Sequence, residues 1–291
     1  MTPAPKTFIA RDEELLSQSE AVVYKQPASG PDLQAYLFLP ADGRVGLGRP
    51  ALVFFHASGW DSGRVAQFAP QAMRFAQRGC VSILADYRTR ASHDATPLQA
   101  MQDARSAFRW VRHYTDELGV DPSRLAGIGS LAGAHIAAAA AMKGDLPNDA
   151  TDPESLSGRP DALILFNPLV EVTKGSYGSK AFAETGTPIG AANLSAHVAK
   201  DLPPTLILHG TDDRFAPIGP VVKFAKKSQQ KGNVCDLIPF EGRQHGFFNL
   251  NVDPATHSQC NDLMDRFLVH LGFLAPDATA GDETESVRVL D

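Results

Sequence analysis

The chain lacks most of the features that place a protein at once. Its 291 residues include only three cysteines, Cys80, Cys235 and Cys260. That odd number, without the short paired spacings of a zinc or iron–sulfur site, predicts neither a disulfide framework nor a metal. There is no run of Lys and Arg, and 27 basic residues stand against 33 acidic ones for a formal net charge of −6. A nucleic acid or an anionic membrane is therefore excluded as the expected partner. No apolar stretch approaches the length a bilayer requires. The start of the chain mixes Lys6, Arg11, Asp12, Glu13 and Glu14 and has no apolar core of the secretory kind, so no signal peptide is read there and the cytoplasm is the expected location. Internal repeats are absent as well. A small neutral or mildly polar substrate, or a protein partner, remains open; no cofactor is expected, and the oligomeric state is open, a homodimer among the alternatives.

What is present is an alternation of apolar runs and amphipathic stretches. Residues 1–20 form a polar lead-in with a short helical stretch at Glu13–Ser17, and 21–274 read as one domain. Within it, Ala21–Lys25 and Asp32–Pro40 alternate as short strands about the turn-rich Pro27-Ala28-Ser29-Gly30-Pro31. Ala51-Leu52-Val53-Phe54-Phe55 is an unbroken apolar run of the kind buried on both faces of a parallel sheet. Helical periodicity follows at Phe68–Arg78, a second buried strand at Cys80–Asp86 and a long helix at Pro97–Leu118. A turn at Asp121-Pro122-Ser123 leads to a short strand at Arg124–Gly127 and a small-residue helix at Ala132–Met142. Strands are expected again at Ala162–Phe166, Thr205–Leu208 and Val234–Pro239, with helices at Val221–Lys231 and Cys260–Phe273. Strand and helix in alternation predict an α/β fold with a mostly parallel central sheet flanked by helices. The Gly-, Ser- and Ala-rich segment 172–200 reads as a short cap, and 275–291 as an acidic tail expected to be disordered.

The chemistry concentrates in the loops after the strands. Gly129-Ser130-Leu131-Ala132-Gly133 has the two glycines of a nucleophile elbow, a sharp strand-to-helix turn written G-x-S-x-G. In that frame the central residue is Leu131. A register centred on Ser130 would put Ile128 and Ala132 where the turn needs its smallest residues, so Ser130 is not the expected nucleophile. The other loops are His56-Ala57-Ser58-Gly59-Trp60, His209-Gly210-Thr211-Asp212-Asp213 and Gly242-Arg243-Gln244-His245-Gly246-Phe247. These four blocks, in this order and each after an expected strand, resemble the α/β-hydrolase fold, and more narrowly the acetyl-esterase and lipase branch related to hormone-sensitive lipase. The resemblance implies Asp213 as the triad acid and His245 as its base, a pair in which the carboxylate fixes the imidazole tautomer and leaves Nε2 free to take a proton. It also implies an oxyanion hole from the backbone amides of Ser58, Gly59 and Ala132. Trp60, Phe215, Phe247 and Ser130 are expected substrate contacts, as is Tyr177. His56, His135, Asp86-Tyr87-Arg88, Asp103 and Arg109 are expected to serve structure.

Leu131 is where the chain departs from that pattern. Loss of a serine nucleophile costs on the order of a millionfold in turnover, so ordinary acyl-enzyme ester hydrolysis is not expected. Three accounts stay open: an engineered nucleophile knockout, a diverged enzyme using the Asp213–His245 dyad as general base, and an inactive member that binds a ligand or partner.

Overall fold

The computed structural model describes residues 8–42, 48–142, 148–153 and 155–276. In chain order the elements are α1 (Phe8–Leu16), β1 (Glu20–Lys25), β2 (Leu33–Phe38), β3 (Arg49–Phe55), α2 (Ala69–Gln77), β4 (Val81–Ala85), α3 (Arg90–His93), α4 (Pro97–His113) and α5 (Thr115–Leu118). They continue with β5 (Val120–Ser130), α6 (Ala132–Ala141), β6 (Ala162–Phe166), α7 (Ser179–Glu184), β7 (Thr205–Gly210), α8 (Ile218–Gln230), β8 (Cys235–Phe240) and α9 (Pro254–His270). The eight strands form one sheet in the order β1-β2-β4-β3-β5-β6-β7-β8. The pairings of β1 with β2 and of β2 with β4 are antiparallel, and the rest are parallel. This is the α/β-hydrolase fold, and it puts the loops after β3, β5, β6, β7 and β8 at one end of the sheet.

Side-chain alternation on the buried strands builds a core on each face of the sheet. Ala51, Val53 and Phe55 of β3, Leu163 and Leu165 of β6 and Ile207 of β7 face one core, together with apolar residues of α4, α6 and α8. Leu52, Phe54, Ile128, Ile164, Phe166, Leu206 and Leu208 face the other, against α2 and α9. Two helix starts follow from local chemistry. Thr96 caps α4 by accepting the Gln99 N–H, while the Gln99 side chain accepts the Thr96 N–H, with Pro97 at the first helical position. Asp253 caps α9 by accepting from Thr256 N at 3.0 Å, and Pro254 follows it. For this reason α9 begins six residues before the Cys260 start expected from periodicity. The helix expected over Pro97–Leu118 is broken after His113 into α4 and α5. The segment Asp121–Arg124 is a bulge in β5, since Arg49 pairs with Val120 and Ala51 already pairs with Leu125. Residues 1–7 of the lead-in and 277–291 of the tail lie outside the described residues.

A buried ionic cluster ties the antiparallel end of the sheet to α4. Asp103 is fully buried and accepts from Lys25 Nζ at 2.7 Å and from Arg88 Nη2 at 2.6 Å and backbone N at 3.0 Å. Lys25 and Arg88 also reach Asp149, at 2.7 and 3.0 Å, and Arg109 pairs with Asp152 at 2.7 Å. The cluster thereby fastens residues 148–153 to α4 and β1. All three cysteines are free and buried, and burial pushes each thiol up to about 12. Among the described residues no helix is long and apolar enough to cross a membrane.

Removal of the Asp103 carboxylate leaves two buried cations, Lys25 and Arg88, to share Asp149. Asp103→Ala is expected to lower stability by about 3–5 kcal/mol, read as a drop in the urea midpoint at unchanged slope.

Candidate active site

The elbow is built from close backbone approach. A Cβ on Gly133 would lie 2.2 Å from the Phe55 carbonyl oxygen and 2.4 Å from that of His56, and one on Gly129 would lie 2.4 Å from the Gly133 carbonyl carbon. Only glycine at both positions lets α6 start against the ends of β3 and β5. Between them Leu131 turns the chain at φ 54° and ψ −113°, a conformation that costs a non-glycine residue roughly 1–3 kcal/mol. The turn is therefore at Leu131, in the register expected from the glycines.

Leu131 is 4% exposed, and its surface forms part of a cleft of about 220 Å³ lined also by Ala57, Ser58, Ser62, Tyr177, Phe215 and His245. Ser130 belongs to β5, paired with Phe166, and its hydroxyl is fully buried, with no hydrogen-bond partner among the described residues. It does not line the cleft, which corrects its expected role as a substrate contact.

Two loops bring Asp213 and His245 together. Gly210 ends β7 so close to the β8–α9 loop that a Cβ there would lie 2.4 Å from the Arg243 carbonyl oxygen. The loops are laced by Thr211 N to Phe240 O at 3.1 Å, Asp212 N to Arg243 O at 3.0 Å and Gly242 N to Thr211 Oγ1 at 2.8 Å. On this support His245 Nδ1 donates to Asp213 Oδ2 at 2.8 Å, and Asp213 Oδ1 accepts the N–H of Phe215 at 2.8 Å and of Ala216 at 3.1 Å. Burial acts to raise the Asp213 carboxyl, but the His245 contact and the two backbone donors outweigh it and hold the group below its ordinary range. His209, buried at the end of β7, donates from Nε2 to Ala216 O at 2.8 Å and steadies the same turn; burial lowers its basicity. The ring of Phe215 packs edge-on against His245 at 5.3 Å and Tyr177 at 5.2 Å.

The loop after β3 forms the opposite wall. Tyr87 has one hydroxyl proton, and the His56 carbonyl at 2.7 Å can only accept it. The proton in the 2.6 Å contact between Tyr87 and Ser58 is therefore that of Ser58. Ser58 Oγ in turn accepts the Trp60 N–H at 2.9 Å. The Ala57 N–H is taken by Gln67 Oε1 at 2.7 Å, while among the described residues no hydrogen bond takes the N–H of Ser58, Gly59 or Ala132. His56 stacks on Tyr87 at 4.4 Å.

Two more of the expected contacts lie elsewhere. The Trp60 indole is 1% exposed and packs edge-on against His135 and Phe182, both at 5.1 Å, so it is core beneath the 172–200 segment. Phe247 is turned by Gly246, at φ 77°, to the α9 face of the sheet, where it meets Phe240 at 4.6 Å and Phe248 at 5.9 Å. Asn167, at the end of β6, was not foreseen: its amide Nδ2 reaches Asp213 Oδ2 at 2.6 Å. In the sequence Asn167-Pro168 reads as an ordinary turn. Ser62 was also missed, and no sequence signal marks it. A second cavity of about 440 Å³, under α1, shares Ala57 and Ser62 with the cleft. Among the described residues no group of three His, Cys, Asp or Glu is placed to hold a metal ion.

Sheet order, elbow and the loops at the strand ends define an α/β-hydrolase of the esterase kind. The chain belongs to the BD-FAE family, whose model matches residues 37–227. Its fold is similar to that of Thermogutta terrifontis esterase 2, at 38% identity and TM-score 0.86 for the form phosphonylated by sarin, over 90% of this chain and 98% of that one. The apo form of that esterase gives 39% identity and a TM-score of 0.85 at the same coverage. Among curated proteins, esterase LipC of Mycobacterium tuberculosis is 25% identical over 72% of this chain and 56% of its own length. A probable isoprenylcysteine alpha-carbonyl methylesterase of Arabidopsis thaliana, ICMEL1, is 26% identical over 68% of this chain and 45% of its own. The chain thus spans about half the length of the curated relatives it matches.

Two outcomes test the packing of the elbow. Gly133→Ala is expected to abolish folding or to lower stability by more than about 3 kcal/mol, as overpacked cores do at their most severe, read by thermal unfolding. His135 is buried on α6, donates Nδ1–H to Leu169 O at 2.6 Å, and is lowered by burial to about 4. Between its ordinary value near 6.5 and about 4, the unfolded chain binds the extra proton, so stability falls as pH falls through that window. His135→Gln should flatten the dependence of the urea midpoint on pH between 6.5 and 4.

Proposed function

We propose that the chain is a diverged esterase-family enzyme that acts on a small substrate through Asp213 and His245, without a serine at the elbow. The observation that carries this reading is the 2.8 Å contact of His245 Nδ1 with Asp213 Oδ2, on the wall of the cleft into which the elbow presents Leu131. With Nδ1–H committed to the carboxylate, Nε2 is the basic atom. It takes a proton from a water as the water oxygen adds to an ester carbonyl, and returns it to the alkoxide when the C–O bond breaks. The imidazolium formed in between lies against the Asp213 carboxylate, and the negative oxygen meets the N–H groups of Ser58, Gly59 and Ala132. General-base assistance of this kind contributes about a hundred- to ten-thousandfold. Three free, buried thiols suit a reducing compartment, and the cytoplasm is the proposed location.

A second reading, a ligand-binding protein without turnover, draws on the 4% exposure of Leu131, whose side chain occupies the floor of a cleft of only about 220 Å³.

Hydrolysis of short-chain p-nitrophenyl esters separates the two. The unmodified chain is expected to hydrolyse them slowly, with the activity lost in His245→Ala and kept in Ser130→Ala. Leu131→Ser is expected to raise turnover by several orders of magnitude in a His245-dependent way. An unmodified chain that is inactive beside an active Leu131→Ser variant overturns the dyad enzyme and leaves an esterase scaffold whose nucleophile was lost or engineered away, and activity that survives His245→Ala overturns the dyad as well.

A further inference from the structure

We propose that Asn167 is the positioning residue of the dyad: it holds the Asp213 carboxylate and limits how strongly that carboxylate retains a proton on His245. The inference rests on the Asp213–His245 reading and adds a residue to it.

The orientation of the Asn167 amide is fixed by its surroundings. The Gly210 N–H can only donate, and it lies 3.1 Å from Oδ1. Nδ2 is therefore the atom that faces Asp213 Oδ2 at 2.6 Å. Asp213 then has four donors: Phe215 N and Ala216 N on Oδ1, His245 Nδ1 and Asn167 Nδ2 on Oδ2. A carboxylate offers about four lone-pair directions, so this one is saturated and cannot rotate without losing a bond.

The backbone is committed to the same end. Asn167 is fully buried at φ 44°, and its N–H donates to Leu208 O at 3.0 Å. A positive φ is several-fold more accessible to Asn than to most residues, yet the following Pro168 disfavours helical values before it. The chain thus holds an awkward conformation at the one point from which the amide reaches both Gly210 and Asp213.

Two donors on one carboxylate oxygen divide its charge. The Asn167 N–H remains on Oδ2 whether the ring of His245 is neutral or charged, so the imidazolium gains less from Asp213 than it would alone. The 3.4 Å approach of Nδ2 to His245 Nδ1 brings two donors face to face. Other titratable groups around His245 do not duplicate this effect. His209 is buried and donates to Ala216 O, Tyr177 stands beyond the Phe215 ring, Asp212 and Arg214 are exposed, and Arg243 is turned to Asp253 at 2.8 Å.

The test is an NMR pH titration of the His245 ring in the intact chain, in Asn167→Gly and in Asn167→Ala, with the resonance assigned by its loss in His245→Ala. Glycine relieves the positive φ and alanine retains it, while both remove the amide. Both variants are expected to raise the His245 pKa by about one unit, the scale of one hydrogen bond to a charged group. An unmoved or lowered value in either variant overturns the assignment, because a purely structural role for the side chain would leave the titration where it is. The readout needs no turnover. A raised pKa in a chain without esterase activity keeps Asn167 and discards the hydrolytic reading, whereas His245-dependent hydrolysis with an unmoved titration discards Asn167 alone.

Discussion

Everything at the cleft depends on the contact of the α6 backbone with the carbonyl ends of β3. Gly133 lies beneath the Phe55 and His56 carbonyls, so the turn that projects residue 131 and the loop that begins at His56 are fixed by a single close approach. That contact involves no side chain of residue 131. The scaffold therefore tolerates a hydrocarbon there, and Leu131 keeps a backbone conformation that suits a nucleophile elbow. Geometry and chemistry at this position are separable: the turn keeps its form while the side chain it presents is a hydrocarbon.

Two buried carboxylates illustrate two ways of holding charge. Asp103 is matched by two cationic side chains, Lys25 and Arg88. Asp213 is surrounded by neutral donors, three N–H groups of main chain and amide together with one imidazole. Among the described residues its one titratable hydrogen-bond partner is His245. The first arrangement fastens a loop to a helix, and the second leaves one proton whose position can vary.

The alternation of strands and helices was legible in the sequence because both faces of the sheet are covered, so β3, β6 and β7 are continuous apolar runs. The turn at Leu131 could be placed because two glycines fix its register, and the loops of Asp213 and His245 because the resemblance to a known family marks them. Side-chain direction beyond a turn was not legible: Trp60 follows Gly59 into the core, and Phe247 follows Gly246 to the far face. Asn167 was invisible for another reason, since its partners are on a different strand and 43 and 46 residues away in the chain. The start of α9 was written in Asp253-Pro254, a capping signal that apolar periodicity does not register.

The sulfur chemistry of the chain has a practical consequence. Cys80, Cys235 and Cys260 are all buried, with thiols raised by burial to about 12, so thiolate is scarce at neutral pH and alkylating reagents meet almost no reactive sulfur. The folded protein is in effect a blank background for cysteine-directed probes. A single thiol introduced on the cleft wall would report on that cleft alone, with the native sulfurs left in place.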